Sequence, residues 1–198
     1  MCTSFTISND KSFLDLATWH DFSGGQLTGS LTIMPKQHAS LLVPSNDDNS
    51  YGLVSMAWGF QLSPTDVLSQ GSTPSLTGKY INARWENLAI SNLWKDSYLN
   101  RRAVLAITSF YHRDNQYVMT NSDVMYFAAV YASNVRSRFA IVSRPSYGIV
   151  QAQHPRCPML LTEEGIRIWL DKDLDVHILE TFTTFAALHY KPSLTLLS

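Results

Sequence analysis

The chain has 198 residues, of which 45% are hydrophobic and 16% are charged, and its formal net charge is −1 at pH 7. That length and apolar content can bury a sizeable core, so they exclude an intrinsically disordered chain. The near-neutral charge excludes a basic field over the whole protein, and any nucleic-acid site must therefore be a local basic patch.

Strands are predicted in the first half at three segments with alternating or continuous apolar residues, namely 2–8, 26–34 and 53–60. Between the first two, Asn9 and Asp10 can cap a helix at 11–19. The polar segment 63–78 is rich in Pro, Gly, Ser and Thr, and we expect one long loop there.

The second half combines helices with longer apolar runs. Helical spacing of apolar residues predicts a helix within 85–99, and Thr162 can cap a helix that ends near residue 170. A further short helix is predicted at 174–181. Apolar runs typical of buried strands lie at 103–111, 124–132 and 139–142.

Strands and helices do not alternate strictly along the chain, so the pattern favours the α+β class. We expect curved antiparallel sheets that form an open, barrel-like core with short flanking helices. No repeat, low-complexity tract or second domain is indicated, and we interpret residues 1–198 as a single domain.

Two cysteines, Cys2 and Cys157, are too few for a disulfide framework, although they could form one bridge. A reducing compartment is the simpler interpretation. Residues 1–13 lack the pattern of a secretory signal, and no apolar stretch reaches the ~18 residues of a membrane span. We therefore expect a cytoplasmic protein with no membrane contact.

Cys2 is the first candidate for chemistry. Methionine is readily removed before a small second residue, which would leave Cys2 with a free α-amine beside its thiol. With reference pKa values of about 7.7–8.0 for the amine and about 8.5 for the thiol, both nucleophiles would be present near neutral pH. The amine can condense with an aldehyde, and the thiol can then close a thiazolidine ring intramolecularly. The competing interpretation is an incidental cysteine at a chain end.

Other positions carry further candidate groups. Asn82 and Arg84 lie two residues apart, so on an extended chain they share a face and could hold a phosphate or a sugar. His112 and His154 titrate in the range needed for proton transfer, and Trp58 could stack on a base. Each also has an ordinary interpretation as a surface residue, a structural histidine or part of the core.

Sequence motifs for metal, nucleotide and serine-hydrolase sites are absent. There is no CxxC, no HExxH and no pairing of histidine with cysteine at metal-ligand spacing. There is also no Walker A loop, no GxGxxG and no GxSxG. We therefore expect neither a metal nor another cofactor.

Six short motifs occur in an order that is far more specific than any one of them. They are Met1-Cys2, Met34-Pro35, Trp58-Gly59, Asn82-Ala83-Arg84, Arg102 through Phe110-Tyr111, and His154-Pro155-Arg156-Cys157-Pro158. In this order the chain resembles the SOS response-associated peptidase (SRAP) family over most of its length. Members of that family shield abasic sites in single-stranded DNA by covalent attachment, so the resemblance implies an SRAP-like fold and this activity.

The resemblance also implies roles for individual residues. Cys2 matches the N-terminal cysteine that forms the DNA–protein cross-link. Asn82 and Arg84 match residues that contact the lesion sugar and the flanking phosphate, and His154 matches an acid/base. The remaining implied DNA contacts are Pro35, Trp58, Ser143, Arg144 and Arg156.

The chain departs from the family pattern at two places. At residues 110–113 the family's Phe-Tyr-Glu-Trp becomes Phe-Tyr-His-Arg, so His112 replaces a catalytic glutamate and Arg113 replaces a tryptophan that stacks on DNA. At residues 3 and 4 the usual Gly-Arg becomes Thr-Ser, which removes one basic contact. We expect Cys2, Asn82, His112 and His154 to be the catalytic residues, with His112 acting beside His154, and we expect Arg113 to contact DNA.

We interpret the chain as an abasic-site processing protein that binds single-stranded DNA. Cys2 would form a thiazolidine cross-link with the ring-opened deoxyribose, and the protein could remove Met1 itself. With His112 in place of glutamate, we expect forward cross-linking to survive while reversal and self-removal of Met1 are impaired.

The alternative is a catalytically impaired SRAP-like scaffold that binds single-stranded DNA or a protein partner without a covalent step. A protease acting in trans is the least favoured hypothesis, since no motif indicates a peptide-binding cleft. For each of them we expect a monomer in the cytoplasm, near the nucleoid or, for a phage-encoded copy, in the host.

Overall fold

A computed structural model describes residues 2–7, 31–45, 51–60, 80–132 and 138–197. The helix predicted at 11–19, the loop predicted at 63–78 and the start of the strand predicted at 26–34 lie outside the described residues. The strands of the described part, in chain order, are β1 (Ser4–Ile7), β2 (Leu31–Ile33), β3 (His38–Pro44), β4 (Tyr51–Trp58), β5 (Asn82–Arg84), β6 (Arg102–Ile107), β7 (Ser109–His112), β8 (Asn115–Met119), β9 (Met125–Ala132), β10 (Arg138–Pro145), β11 (Arg156–Pro158), β12 (Leu160–Leu161) and β13 (Leu194–Leu197).

One sheet has five strands in the order β13-β8-β7-β1-β2, all antiparallel. Strand β1 lies between β2 and β7, and its Phe5 is opposite Ile33 of β2 and Phe110 of β7. Strands β7 and β8 form a hairpin with a two-residue loop, closed by the pair His112–Asn115. The sequence analysis predicted neither β8 nor β13, and β13 is one of the two edge strands of this sheet.

The second sheet runs β11-β10-β4-β3-β6-β9-β12, and β10 also pairs with β9. This additional pairing closes β10, β4, β3, β6 and β9 into a ring, which gives the barrel-like core that the sequence predicts. Most pairings are antiparallel, but β10 runs parallel to β4 and to β5. The pairing with β5 places Asn82 opposite Ile141 and Arg84 opposite Ser143.

The described helices are short: a 3-10 turn (Trp85–Asn87), α1 (Lys95–Asn100), α2 (Gly148–Gln151), α3 (Glu163–Leu170) and α4 (Val176–Leu188). Thr162 caps α3 as predicted, because its Oγ1 accepts a hydrogen bond of 2.9 Å from the Gly165 amide. Helix α4 extends beyond the predicted end at 181, since the buried residues Ala186 and Ala187 continue its packed side. The α+β class is confirmed.

Aromatic packing joins the two sheets. The ring of Phe5 in β1 lies 5.0 Å from that of Trp58 in β4, and Trp58 stacks on Phe139 of β10 at 6.5 Å. All three side chains are fully buried, and burial of a side chain of this size contributes about 2–3 kcal/mol. This contact fixes β1, and therefore the segment before it, against the barrel.

The N-terminal end of β1 meets two turns. Because β2 and β7 are both antiparallel to β1, their C-terminal ends lie beside its N-terminal end. The Thr3 amide donates a hydrogen bond of 2.9 Å to the Tyr111 carbonyl, which holds the preceding segment alongside β7. We call this region the Cys2 edge; it comprises Cys2, the turn Met34–Gln37 after β2 and the loop Arg113–Asp114 after β7.

Candidate functional site

Cys2 lies at this edge with its side chain inside the protein. It is 2% exposed, and its Sγ donates a hydrogen bond of 3.2 Å to the Ser4 carbonyl. Burial raises the pKa of the Cys2 thiol to about 12. The sequence-based expectation of a partly ionised thiol near neutral pH is therefore wrong, because the reference pKa ignores the cost of a thiolate away from water.

Two imidazole rings lie close together in the site. His112, the last residue of β7, and His154, which precedes β11, have ring centroids 4.3 Å apart and an interplanar angle of 55°. His112 is 8% exposed. The hydrogen bond from the Thr3 amide to the Tyr111 carbonyl holds the segment after Cys2 beside the end of β7, and His112 follows Tyr111 directly. The histidine pair therefore lies at the Cys2 edge. The structure therefore brings together three of the four residues that the sequence predicts to be catalytic.

His154 has a backbone partner in either neutral tautomer. Its Nδ1 lies 2.9 Å from the Arg156 carbonyl oxygen and 3.0 Å from the Arg156 amide nitrogen. A protonated Nδ1 would donate to the carbonyl and leave Nε2 as a base, whereas an unprotonated Nδ1 would accept from the amide and leave Nε2–H as an acid. His154 can therefore serve in both roles.

The electrostatic environment of His154 favours its neutral form. Burial lowers the pKa of His154, the hydrogen bond to the Arg156 backbone opposes this, and positive charge at the N-terminus, His112 and Arg113 lowers the pKa further. A neutral imidazole can accept a proton at physiological pH, so the described geometry suits a general base.

Arg156 is held by protein groups rather than free. Its guanidinium makes a bidentate ion pair with Glu86, at 2.6 and 2.8 Å, and donates to the Ser143 carbonyl at 2.7 Å. Burial is the largest single influence on Glu86 and raises its pKa, but the hydrogen bonds from Arg156, a backbone hydrogen bond and the positive charges of Arg156 and Arg84 together lower the pKa of Glu86. The positive charge of Arg156, which the family resemblance assigns to DNA binding, is thus balanced by the carboxylate of Glu86. In this structure Arg156 fixes the backbone that holds His154.

Ser143 and Glu86 connect Arg156 to β5 and to the 3-10 turn that follows it. Ser143 is buried, and its Oγ donates to the Ala83 carbonyl at 3.2 Å, which ties β10 to β5. Glu86 was missed by the sequence analysis, although a carboxylate two residues after Arg84 is a signal for an ion pair. The pair Glu86–Arg156 links the 3-10 turn after β5 to the segment that carries His154.

Asn82 is a buried amide without a protein partner among the described residues. Both its Oδ1 and its Nδ2 are inaccessible to solvent and make no hydrogen bond. Buried side-chain amides nearly always have partners, so both polar atoms of Asn82 are available for a hydrogen bond with a group outside the described residues. Arg84, two residues further along β5, is exposed and lies opposite Ser143.

Besides Ser143, which is 1% exposed and was also assigned to a DNA contact, two further residues with that assignment lie in the core instead. Arg144 is 2% exposed; its Nη1 donates to the Ala186 and Tyr190 carbonyls, and its guanidinium stacks on Tyr147 at 4.7 Å. Trp58 is fully buried, and its Nε1 donates to the Ile81 carbonyl at 2.7 Å. Neither side chain can reach a nucleotide in this structure, and we do not propose them as contacts.

The last two predicted contacts lie on the turns of the Cys2 edge. Pro35 is half-buried in the turn after β2, and Arg113 is exposed in the loop after β7. An open pocket of about 480 Å³ lies beside His154, and Ser146, Gln151 and Gln153 line it together with neighbouring prolines and an alanine. His154 therefore borders a pocket of mixed polarity, and Arg113 supplies an exposed positive charge on the loop after His112.

Within the residues that the structure describes, no group of three or more His, Cys, Asp or Glu side chains could hold a metal ion. Among the same residues, no helix is long and apolar enough to cross a membrane.

Comparison with known proteins decides the family. The model of the family "SOS response associated peptidase (SRAP)" matches residues 1–192. The chain belongs to this family. The resemblance recognised from six ordered motifs is confirmed, and SRAP membership supports a scaffold for DNA-damage-related processing of abasic sites. A search of curated proteins finds no significant match.

Solved structures show the same fold at low sequence identity. A phage-related protein from Bordetella bronchiseptica is 17% identical with a TM-score of 0.69, and 99% of this chain and 94% of that chain are covered. A protein from Bacteroides thetaiotaomicron is 12% identical with a TM-score of 0.67, over 92% and 86% of the two chains. A second Bordetella bronchiseptica protein is 10% identical with a TM-score of 0.66, over the full length of both.

Proposed function

We propose that this SRAP protein binds single-stranded DNA and forms a covalent thiazolidine cross-link between Cys2 and the aldehyde of a ring-opened abasic deoxyribose. The observation that supports this most strongly is the position of Cys2, at the end of β1 that also meets the histidine pair. An amine, a thiol and two imidazoles in one place are the groups that this condensation requires.

The reaction proceeds in two bond-forming steps after removal of Met1. The Cys2 amine attacks C1′ of the aldehyde, and the resulting carbinolamine loses water with a proton from an imidazole to give an iminium ion. The thiol sulfur then adds to C1′ and its proton passes to an imidazole, which closes the ring. The sum is aldehyde plus aminothiol giving thiazolidine plus water, and no oxidant or reductant is needed.

The raised thiol pKa determines the order of these steps. Since the buried Cys2 thiol stays protonated near neutral pH, the amine is the first nucleophile and the thiol needs a base when it adds. His154 can accept that proton through Nε2 while its Nδ1 donates to Arg156. Ring closure is intramolecular, so even a weakly ionised thiol reacts efficiently.

Asn82, Arg84 and Arg113 would bind the substrate. The unpaired amide of Asn82 has both a donor and an acceptor for sugar oxygens, and it must become accessible when the strand binds. Arg84 and Arg113 are exposed cations that suit phosphate binding. His112 takes the place of the family glutamate as partner of His154.

A denaturing gel tests the proposal. Met1-free protein incubated with an abasic single-stranded oligonucleotide should give a heat-stable adduct, and Cys2→Ala should give none. Cys157→Ala is the matched control, because Cys157 is equally buried but lies in β11, and it should cross-link like the parent. An adduct that persists in Cys2→Ala, or none from the Met1-free parent, would overturn the covalent function.

A non-covalent scaffold is the second candidate, and the burial of Cys2 favours it. In this alternative the protein binds abasic and intact strands equally well, and Cys2→Ala binds like the parent. Intact mass distinguishes the two cheaply, since retention of Met1 blocks the amine and leaves only the scaffold role.

A further inference from the structure

Two basic residues occupy strained turns on either side of Cys2. Among the described residues, Lys36 (φ +81°) and Arg113 (φ +54°) are the only non-glycine residues with a positive φ. L-residues other than Gly, Asn and Asp rarely adopt this conformation, and strained backbone concentrates at functional sites.

Lys36 occupies a position that normally takes glycine. The Gln37 amide donates to the Met34 carbonyl at 3.1 Å, which closes a four-residue turn with Pro35 second and Lys36 third. Proline second and a positive φ third define a type II turn, whose third residue is usually glycine. The Lys36 amide donates to the Trp58 carbonyl at 2.7 Å, so the backbone of the turn is tied to the barrel while the side chain is exposed.

Arg113 is the counterpart on the other side. It is the first residue of the two-residue loop closed by His112–Asn115, a position that favours glycine when φ is positive. Its side chain is exposed. The neighbouring Asp114 is the one carboxylate on these two turns, so their combined charge stays positive.

The sheet sets the spacing of the two cations. Lys36 follows β2 and Arg113 follows β7, and these strands are the two neighbours of β1. With neighbouring strands about 4.8 Å apart, the two backbones are about 10 Å apart with Cys2 between them. Long flexible side chains from such positions can contact phosphates on both sides of one nucleotide placed over Cys2.

We infer that Lys36 and Arg113 form a phosphate clamp that binds the phosphates 5′ and 3′ of the abasic nucleotide and holds its sugar over Cys2. This inference rests on the proposed function and extends it to Lys36. It explains why two positions that would be more relaxed with glycine carry cations, and why a chain with a net charge of −1 can bind a polyanion. Recognition through phosphates makes binding independent of base identity.

The test measures DNA binding and stability on the same variants. In Lys36→Gly and Arg113→Gly, the salt dependence of binding to an intact single-stranded oligonucleotide should weaken by ~0.7 log units per log salt each, which is one phosphate contact. The thermal midpoint should stay unchanged or rise, since glycine relieves the positive φ. Lys172→Gln, which removes an exposed cation after α3, is the charge control and should keep the parent slope.

Each contrary result has a distinct meaning. If the parent binds and cross-links but both glycine variants keep its salt slope, the clamp is overturned and the proposed function stands. If the glycine variants have a lowered thermal midpoint and an unchanged salt slope, Lys36 and Arg113 are only structural. If Lys172→Gln loses as much of the salt slope as they do, the effect is one of general charge. Either result overturns the clamp. If the parent neither binds nor cross-links single-stranded DNA, the clamp and the proposed function fail together.

Discussion

The arginines of the barrel and the cations of the Cys2 edge differ in how their charges are used. Arg102 is 4% exposed and donates to four backbone carbonyls, those of Tyr98, Leu99, Trp169 and Asp171. Arg144 is likewise buried against the end of α4. At the Cys2 edge, by contrast, Lys36 and Arg113 are exposed on turns that strain their backbone.

The comparison shows that a basic residue in a family motif is not by itself a DNA contact. A guanidinium that satisfies several carbonyls in the interior stabilises the fold, because removing it leaves those carbonyls buried without donors. A cation at a strained turn does the reverse: it costs stability and keeps its donors available. The fold and the proposed binding should therefore respond to different substitutions.

The largest effect on stability is expected at Arg144. Arg144→Met should lower the free energy of unfolding by about 2–4 kcal/mol, since the carbonyls of Ala186 and Tyr190 lose their donor. Urea unfolding measures this. Arg84→Met is the matched control; as an exposed residue it should change stability by no more than about 0.5 kcal/mol. Equal stability of the two variants would contradict the claim that the buried arginine stabilises the fold and the exposed one does not.

Cys2 should make the parent sensitive to alkali. Its pKa is raised to about 12 in the folded chain and is about 8.5 when unfolded, so between these values the folded state binds more protons and stability falls as pH rises. The loss should reach about 2 kcal/mol by pH 10. Urea unfolding of Cys2→Ala should show a smaller loss from pH 8 to 10 than the parent. Parallel pH curves would mean that the thiol is accessible in the folded protein.

The smallest effect is a shift in pH dependence at His112. In His112→Glu a carboxylate replaces an imidazole that lowers the pKa of His154, so the substitution raises that pKa. The acidic limb of the cross-linking rate should move up by about 1 pH unit, and reversal of the adduct should become faster. Single-turnover rates across pH measure this, and His177→Glu on the exposed start of α4 should leave the profile in place. An unmoved profile in His112→Glu would exclude the pair as the acid/base.

The sequence predicts the fold better than it predicts the contacts between residues of the site. Apolar runs predict β6, β9 and β10 because those strands are buried, but the parallel pairing of β10 with β4 depends on contacts between residues far apart in the chain. Cys2 is predictable from the chemistry of an aminothiol. That Arg144 is buried in the core while Arg84 is exposed is not predictable from the sequence, since both lie at or next to the end of a strand.

Residue patterns also do not predict the two turns with a positive φ. Pro35 predicts a turn, yet the lysine after it gives no sign of a positive φ, because only the pairing of β2 with β1 and the hydrogen bond to Trp58 impose that conformation. Glu86 is visible in the sequence as a charge near Arg84, but its actual partner, Arg156, is 70 residues away.

The mass of the adduct tests the covalent function most directly. Met1-free protein and an abasic oligonucleotide, mixed without reductant, should give one species whose mass is the sum of the two less one water, with fragmentation placing the added mass on Cys2. Addition without loss of water, attachment at a lysine or at Cys157, or absence of any adduct would contradict the thiazolidine cross-link.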